Sequence, residues 1–213
     1  MYLLITIVLI AATVIYAVFP KFRKVRERNT ILTTFIITLV ATGAGVFLAL
    51  YFSNIEEKHK EKANAVKILS ASRAELEGNM QRVTEAKDYI RQINDSSYTF
   101  ENYVADYKIE KEFNLRNVID NDIIIRNLSP EGLYFYTLWN DNAAYAFKQL
   151  INSISKGEIF YIEGLFIYLL HLDAIRKMID LEEKYIQGKI SHKDVQYEYL
   201  NIQNEFTTLM KTI

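Results

Sequence analysis

Two uncharged apolar runs at the start of the chain, with a short basic tether between them, constrain the fold more than anything that follows. Residues 2–19 form a run of 18 and residues 30–53 a run of 24, and neither holds a formal charge. At 1.5 Å of rise per residue, such helices extend about 27 and about 36 Å, against a hydrocarbon core of about 30 Å. The tether, residues 20–29, carries Lys21, Arg23, Lys24, Arg26 and Arg28, charges that no apolar core would accept. The pattern predicts an all-α chain. A transmembrane helical hairpin over 1–53 (spans 2–19 and 30–53) leads into a long juxtamembrane helix and an antiparallel helical bundle over 54–213.

Composition supports helix throughout: 7 Gly and 2 Pro in 213 residues leave few breakers. The charge is unevenly divided. Residues 1–53 hold five Lys/Arg and one Glu; removing these from the totals of 25 and 26 leaves 20 basic and 25 acidic residues in 54–213. An acidic soluble part is a poor match to nucleic acid, whose binding needs clustered Lys and Arg on phosphates. Cysteine is absent, which excludes disulfides, thiolate nucleophiles and Cys-ligated zinc. The first run lacks the basic flank and small-residue cleavage site of a secretory signal, so it reads as an uncleaved anchor.

Short loops rich in Lys and Arg stay cytoplasmic. The tether outweighs the mixed flank after residue 53, where Lys58, Lys60 and Lys62 alternate with Glu56, Glu57 and Glu61. The expected placement is a multi-pass protein of the cell (inner) membrane, with the tether inside and both termini and the large domain outside. In the second run Ala41, Gly45 and Ala49 recur every four residues, a helix-packing stripe that lets another helix approach closely. It would serve either the first span or a second copy of the chain. Neither run contains an ionisable residue, which argues against a proton or ion path.

From Asn54 to about Asn94 the chain reads as one long helix. Val66, Leu69, Leu76, Met80, Val83 and Ile90 follow a 3/4 spacing, with Arg73 and Lys87 at the missing core positions. Two charges in that seam predict a bundle helix with a wet side rather than an autonomous coiled coil. Asn94-Asp95-Ser96-Ser97 should end it. Residues 95–128 predict short helices and turns. Ser129-Pro130-Glu131 is a helix start, running to about Ser155 with a stop at Gly157. Leu133, Tyr136, Ala143, Phe147, Leu150, Ile151 and Ile154 would form its inner face. A helix from Ile159 to Gln187 stops at Gly188, and Ser191 with Asp194 opens a last one carrying Val195, Tyr199, Ile202, Phe206 and Leu209 inward. Ile159–Leu172 is too short for a third span and contains Glu163 and His171.

No catalytic, cofactor-binding or metal-binding constellation stands out. His59 and His192 read as solvated and His171 as a satisfied core histidine, since His-x-Asp is not a zinc-helix spacing. Trp139-Asn140-Asp141-Asn142 reads as a solvent-facing turn or kink within its helix. Tyr134, Tyr136, Tyr145, Tyr161 and Tyr168 suit a core with hydroxyls at its edge, or a ligand cleft. Phosphate-binding glycine loops and nucleophile elbows are absent.

The junction Phe47-Leu-Ala-Leu-Tyr-Phe-Ser-Asn54, then Glu56-Glu-Lys-His-Lys60 and Ala74-Glu-Leu-Glu-Gly-Asn79, resembles a broad group of uncharacterised bacterial two-span membrane proteins. In that group a charged helix with a Glu-Leu-x-x-Asn element follows the second span. Asp122–Glu131 ahead of a Tyr-rich helix is similar to it too, so the likeness covers about residues 45–145. It implies a membrane-anchored helical domain with Glu75 and Asn79 as structural residues, and no activity. The function expected is a non-enzymatic, membrane-anchored interaction or sensory module, its partners the lipid bilayer and a second copy or another protein. The rival is a membrane-perturbing effector of the bacterial defence or toxin type that oligomerises through the second span.

Overall fold

The scarcity of glycine and proline is realised as helix in every regular element. The computed structural model describes residues 2–92, 99–109 and 111–212, and among these there is no strand. The helices are α1 (Tyr2–Val18), α2 (Arg23–Arg28), α3 (Thr30–Gln92), α4 (Phe100–Tyr107), α5 (Arg116–Ile119), α6 (Asp122–Asn127), α7 (Pro130–Ser153), α8 (Glu158–Ile186) and α9 (His192–Met210). They fall into two compact units, Met1–Lys60 and Glu61–Ile213.

In the first unit, the expected helical architecture is present, but the hairpin of two distinct spans is not clearly formed. The second apolar run is not an element of its own; it opens α3, a helix of 63 residues. By length and composition α3 is the one described helix able to cross a membrane, and the apolar part of α1, Thr6–Val18, is shorter. A 3-10 turn at Pro20–Phe22 separates α1 from α2, as proline demands by removing a backbone donor. Hydroxyls inside the apolar helices find partners: Thr13 Oγ1 donates to the Leu9 carbonyl at 2.8 Å, and Tyr16 Oη lies 3.4 Å from Thr33 Oγ1 on α3. Large apolar side chains such as Ile31, Phe35, Leu39 and Phe52 stay exposed, an arrangement that water opposes at about 25 cal/mol per Å².

The second unit is built on the inner face of α3 from Glu61 onward. That face is Ala65, Leu69, Leu76, Asn79, Val83, Ala86 and Ile90, with Ser72 half-buried. Leu69, Leu76, Val83 and Ile90 occupy their expected places. The other half of the seam sits one residue earlier than the spacing suggested: Ala65, Ser72, Asn79 and Ala86 replace Val66, Arg73, Met80 and Lys87. Small side chains alternate with large ones, which lets neighbouring helices come close. Arg73 therefore leaves the core and pairs with Asp180 at 2.6 Å and Glu77 at 3.4 Å, beside a Ser70–Glu183 hydrogen bond of 2.6 Å. The stop expected at Asn94–Ser97 lies outside the described residues.

Helix α8 is the central element, packed against α7 on one side and α9 on the other. Its C-terminal half meets α3 near Ser70 and Arg73, while Tyr161 near its start contacts Tyr103, whose hydroxyl donates to Ala86 on α3 at 2.6 Å. The two helices thus run antiparallel. Gly164 permits the close crossing of α7 and α8, because a Cβ there would lie 3.1 Å from Leu150 Cδ1. The segment 95–128 is described from Thr99, apart from residue 110, and consists of short helices. Ile123–Ile125 lies in α6 rather than a strand.

Local signals set the remaining ends. Ser129 Oγ accepts from Gly132 N–H at 3.0 Å with Pro130 opening α7, and a 3-10 turn reaches Gly157 at φ 107°. Gly188, at φ 69°, closes α8, with Lys189 N–H bonded to Lys184 and Gly188 N–H to Tyr185. A left-handed residue there favours glycine. Ser191 and Asp194 form a reciprocal capping box on α9.

Candidate functional site

The residues singled out in the first unit lie on two faces. The side of α3 toward α1 has Thr33 and Ala44 buried. Ala41 and Gly45 line an apolar cleft of about 420 Å³ whose opposite wall includes Ile10, Val14 and Ala17. Ala49 is exposed and outside the cleft, and a Cβ on Gly45 would meet no heavy atom within 4 Å. Lys21, Arg23, Lys24 and Arg28 are exposed, and Arg23 pairs with Glu27 at 2.8 Å. The side chain of Arg26 lies outside the described residues.

The strongest polar feature of the second unit is Glu182, a carboxylate on α8 with 0% exposure. Its Oε2 accepts from Ser129 N–H at 2.9 Å, and its Oε1 accepts from the Ser129 hydroxyl and, at 2.8 Å, from the Tyr199 hydroxyl. The carboxylate sits at the positive end of α7, where a helix favours negative charge. Burial pushes its pKa up, and the bonds from Ser129 and Tyr199 oppose that rise without cancelling it. With donors from Ser129 and Tyr199 and no exposure, Glu182 ties α7, α8 and α9 together rather than meeting a solute. Sequence reasoning missed it. The available signal was an acid placed among Ile175, Ile179 and Ile186 at helical 3/4 spacing.

The histidines divide. His59 is exposed. His171 is buried against Trp139 and Phe206, at ring distances of 5.9 and 4.7 Å, and its Nδ1 donates to the Ile167 carbonyl at 2.9 Å. Burial lowers its pKa, so the neutral ring is favoured. His192 is exposed, as expected, and also pairs with Glu131 at 2.7 Å from Nε2, beside Gln196, which donates to the same carboxylate. Groups of three or more potential metal ligands are absent among the described residues.

The expectation for Trp139–Asn142 holds for its solvent-facing second half and is corrected for the first. Helix α7 passes through unbroken, Trp139 is buried, and Asn140 Oδ1 accepts from Leu115 N–H at 2.7 Å, while Asp141 and Asn142 are exposed. The five tyrosines do not gather in one cleft: Tyr136, Tyr161 and Tyr168 are fully buried, and Tyr134 and Tyr145 are exposed. Tyr168 Oη accepts from Phe113 N–H at 3.0 Å.

A polar cleft of about 550 Å³ opens between α3 and the segment that leaves α4. Its lining includes Asn79, Arg82 and Glu85 of α3 with Asp106, Lys108 and Lys111. Lys111 is held by Glu75 at 3.2 Å, so the Glu-Leu-x-x-Asn element borders this cleft. No family model, curated protein or solved structure matches the chain.

Proposed function

We propose that this protein is a membrane-anchored helical module that holds an interaction or sensing surface at a bilayer and carries out no catalysis. The observation that carries the reading is α3, one helix over Thr30–Gln92 that begins in uncharged apolar sequence and ends in the charged residues of the second unit. Lipid would cover Ile31, Phe35, Leu39 and Phe52, which are otherwise exposed to water at a cost. In this reading α1 and the first part of α3 form a two-span hairpin, the basic tether stays cytoplasmic and the second unit lies outside. A rotation or shift of the second unit would then be passed along α3. The chain contains no cysteine, so single cysteines introduced along residues 55–70 report without background. Helical periodicity in their crosslinking between copies supports the lever, and uniform reactivity removes it.

A second reading is favoured by the exposure of Ala41, Gly45 and Ala49, with open space where a Gly45 Cβ would sit. In it the small-residue face assembles several copies into a membrane-perturbing effector. Gly45→Leu should abolish depolarisation of cells measured with a potential-sensitive dye. Under the anchor reading there is no depolarisation to abolish.

A further inference from the structure

We propose that the apolar groove between α1 and the start of α3 holds one acyl chain of an anionic phospholipid, whose phosphate is gripped by the basic tether. The inference rests on the membrane reading above and names the lipid that reading leaves open.

The groove, about 420 Å³, runs on α3 from Ile37 to Leu48. At 1.5 Å of rise per residue that stretch extends about 17 Å, close to half of a hydrocarbon core of about 30 Å. Its length is that of one leaflet. Thr13 is the one polar side chain in the wall, and its hydroxyl already donates to the Leu9 carbonyl at 2.8 Å. No side chain there asks for a polar partner, so a hydrocarbon chain fills the groove without stranding a donor or acceptor.

Charge at one end selects the lipid. Ala17, in the groove wall, stands four residues before Lys21. Its neighbour Tyr16 reaches Thr33 of α3 at 3.4 Å and packs on Phe22 of the tether at 5.3 Å between rings. These contacts hold the tether at the Ala17 end of the groove. Arg23 is taken by Glu27 at 2.8 Å, and Glu27 is the one acid in residues 1–53. Lys21, Lys24 and Arg28 are exposed, with no acid paired to them among the described residues. A phosphate at the groove mouth supplies the missing negative charge, and its acyl chain continues between the helices. The anionic leaflet faces the cytoplasm, where the membrane reading puts the tether. A second copy, related by a two-fold axis along the membrane normal, would instead bring the same cations to the same depth, where like charges repel.

The test is native mass spectrometry of the full-length protein, reconstituted in vesicles of equal parts phosphatidylglycerol and phosphatidylcholine with identical acyl chains, then extracted into neutral detergent. One phosphatidylglycerol per chain should survive extraction, in at least about tenfold excess over phosphatidylcholine, since each of three cations is worth about fivefold. Combining Lys21→Gln, Lys24→Gln and Arg28→Gln should abolish the preference, and these exposed positions leave the fold untested. Gly45→Leu puts a side chain into open space at the groove and should abolish retention of both lipids. The soluble headgroup glycerophosphoglycerol should not compete. The proposal is overturned by a preference that survives the triple variant, retention that survives Gly45→Leu, displacement by the soluble headgroup, or a lipid-free dimer. A chain released from membranes by carbonate washing overturns the membrane reading and this one together. A chain that stays in the membrane and retains both lipids equally overturns this one alone.

Discussion

Replacing Glu182 separates two opposing contributions of a buried carboxylate. In Glu182→Ala the Ser129 N–H and the Tyr199 hydroxyl lose their acceptor inside the protein. At about 1–3 kcal/mol for each orphaned donor, less the relief of a buried charge, the loss is about 2–4 kcal/mol. Glu182→Gln keeps a carbonyl for the two hydroxyls and removes the charge, but its NH2 group then faces the Ser129 N–H. At neutral pH it should fall between the parent and the alanine variant, with one orphaned donor at about 1–3 kcal/mol less the relief of the buried charge. The pH dependence distinguishes them further. Burial holds the folded pKa of Glu182 above its unfolded value, so the folded state retains the proton more tightly. That contribution to stability is complete below the unfolded value of about 4.3 and is lost as pH rises through the folded value. The glutamine variant lacks this decline and should gain on the parent between acid and neutral pH. Trp139, the sole tryptophan, is buried against Phe206 at 4.5 Å and reports unfolding by its fluorescence. For a chain this size the alanine variant should melt about 4–16 °C lower. An unchanged alanine midpoint, or a parent-to-glutamine gap that does not move with pH, refutes the reasoning.

Gly132→Ala would place a Cβ 2.5 Å from Glu182 Oε1 and 2.8 Å from its Cδ. The carboxylate is held by its donors and cannot turn aside, so a loss of about 1–3 kcal/mol should appear in the same melting assay. Asn140→Leu removes the acceptor of Leu115 N–H. It should cost about 1–3 kcal/mol, and amide exchange at Leu115 should accelerate while exchange in the middle of α8 stays slow. Asp194 is held below the usual carboxylate range by hydrogen bonds from Ser191, so its contribution is present above the ordinary Asp value and lost as pH falls through the folded one. Asp194→Asn should flatten the acid side of the melting profile, and an unaltered profile counts against the capping box as a source of stability.

Much of the helical framework was legible because chain chemistry marks its ends. Ser129 with Pro130, Gly188 at a left-handed dihedral, and Ser191 with Asp194 each act within one helical turn. Features set by partners distant in sequence were not. The inner face of α3 was read by choosing the larger apolar side chains, Val66 and Met80, when close approach selected Ala65 and Asn79 instead. Glu182 was not singled out because its donors, Ser129 and Tyr199, are brought to it only by folding. The cleft joins Asn79 and Arg82 to Lys108 and Lys111 across a helix and a turn, and no local spacing announces that.

The tyrosine content has a structural reason that also bears on the cleft. The segment after α4 is irregular, so its backbone donors cannot be satisfied by a helix of their own. Two of them reach into the core: Phe113 N–H finds Tyr168 on α8, and Leu115 N–H finds Asn140 on α7. A phenol suits this task because its ring fills the interior while its oxygen reaches the backbone. Tyr103 works from the other side, donating from α4 to the Ala86 carbonyl of α3. Lys108 and Lys111 lie between these attachments, one turn of chain from Phe113. The wall of the cleft is therefore fixed by side chains of α3, α7 and α8 rather than by its own secondary structure, which makes it the part of the second unit whose position reports on the packing of all three helices.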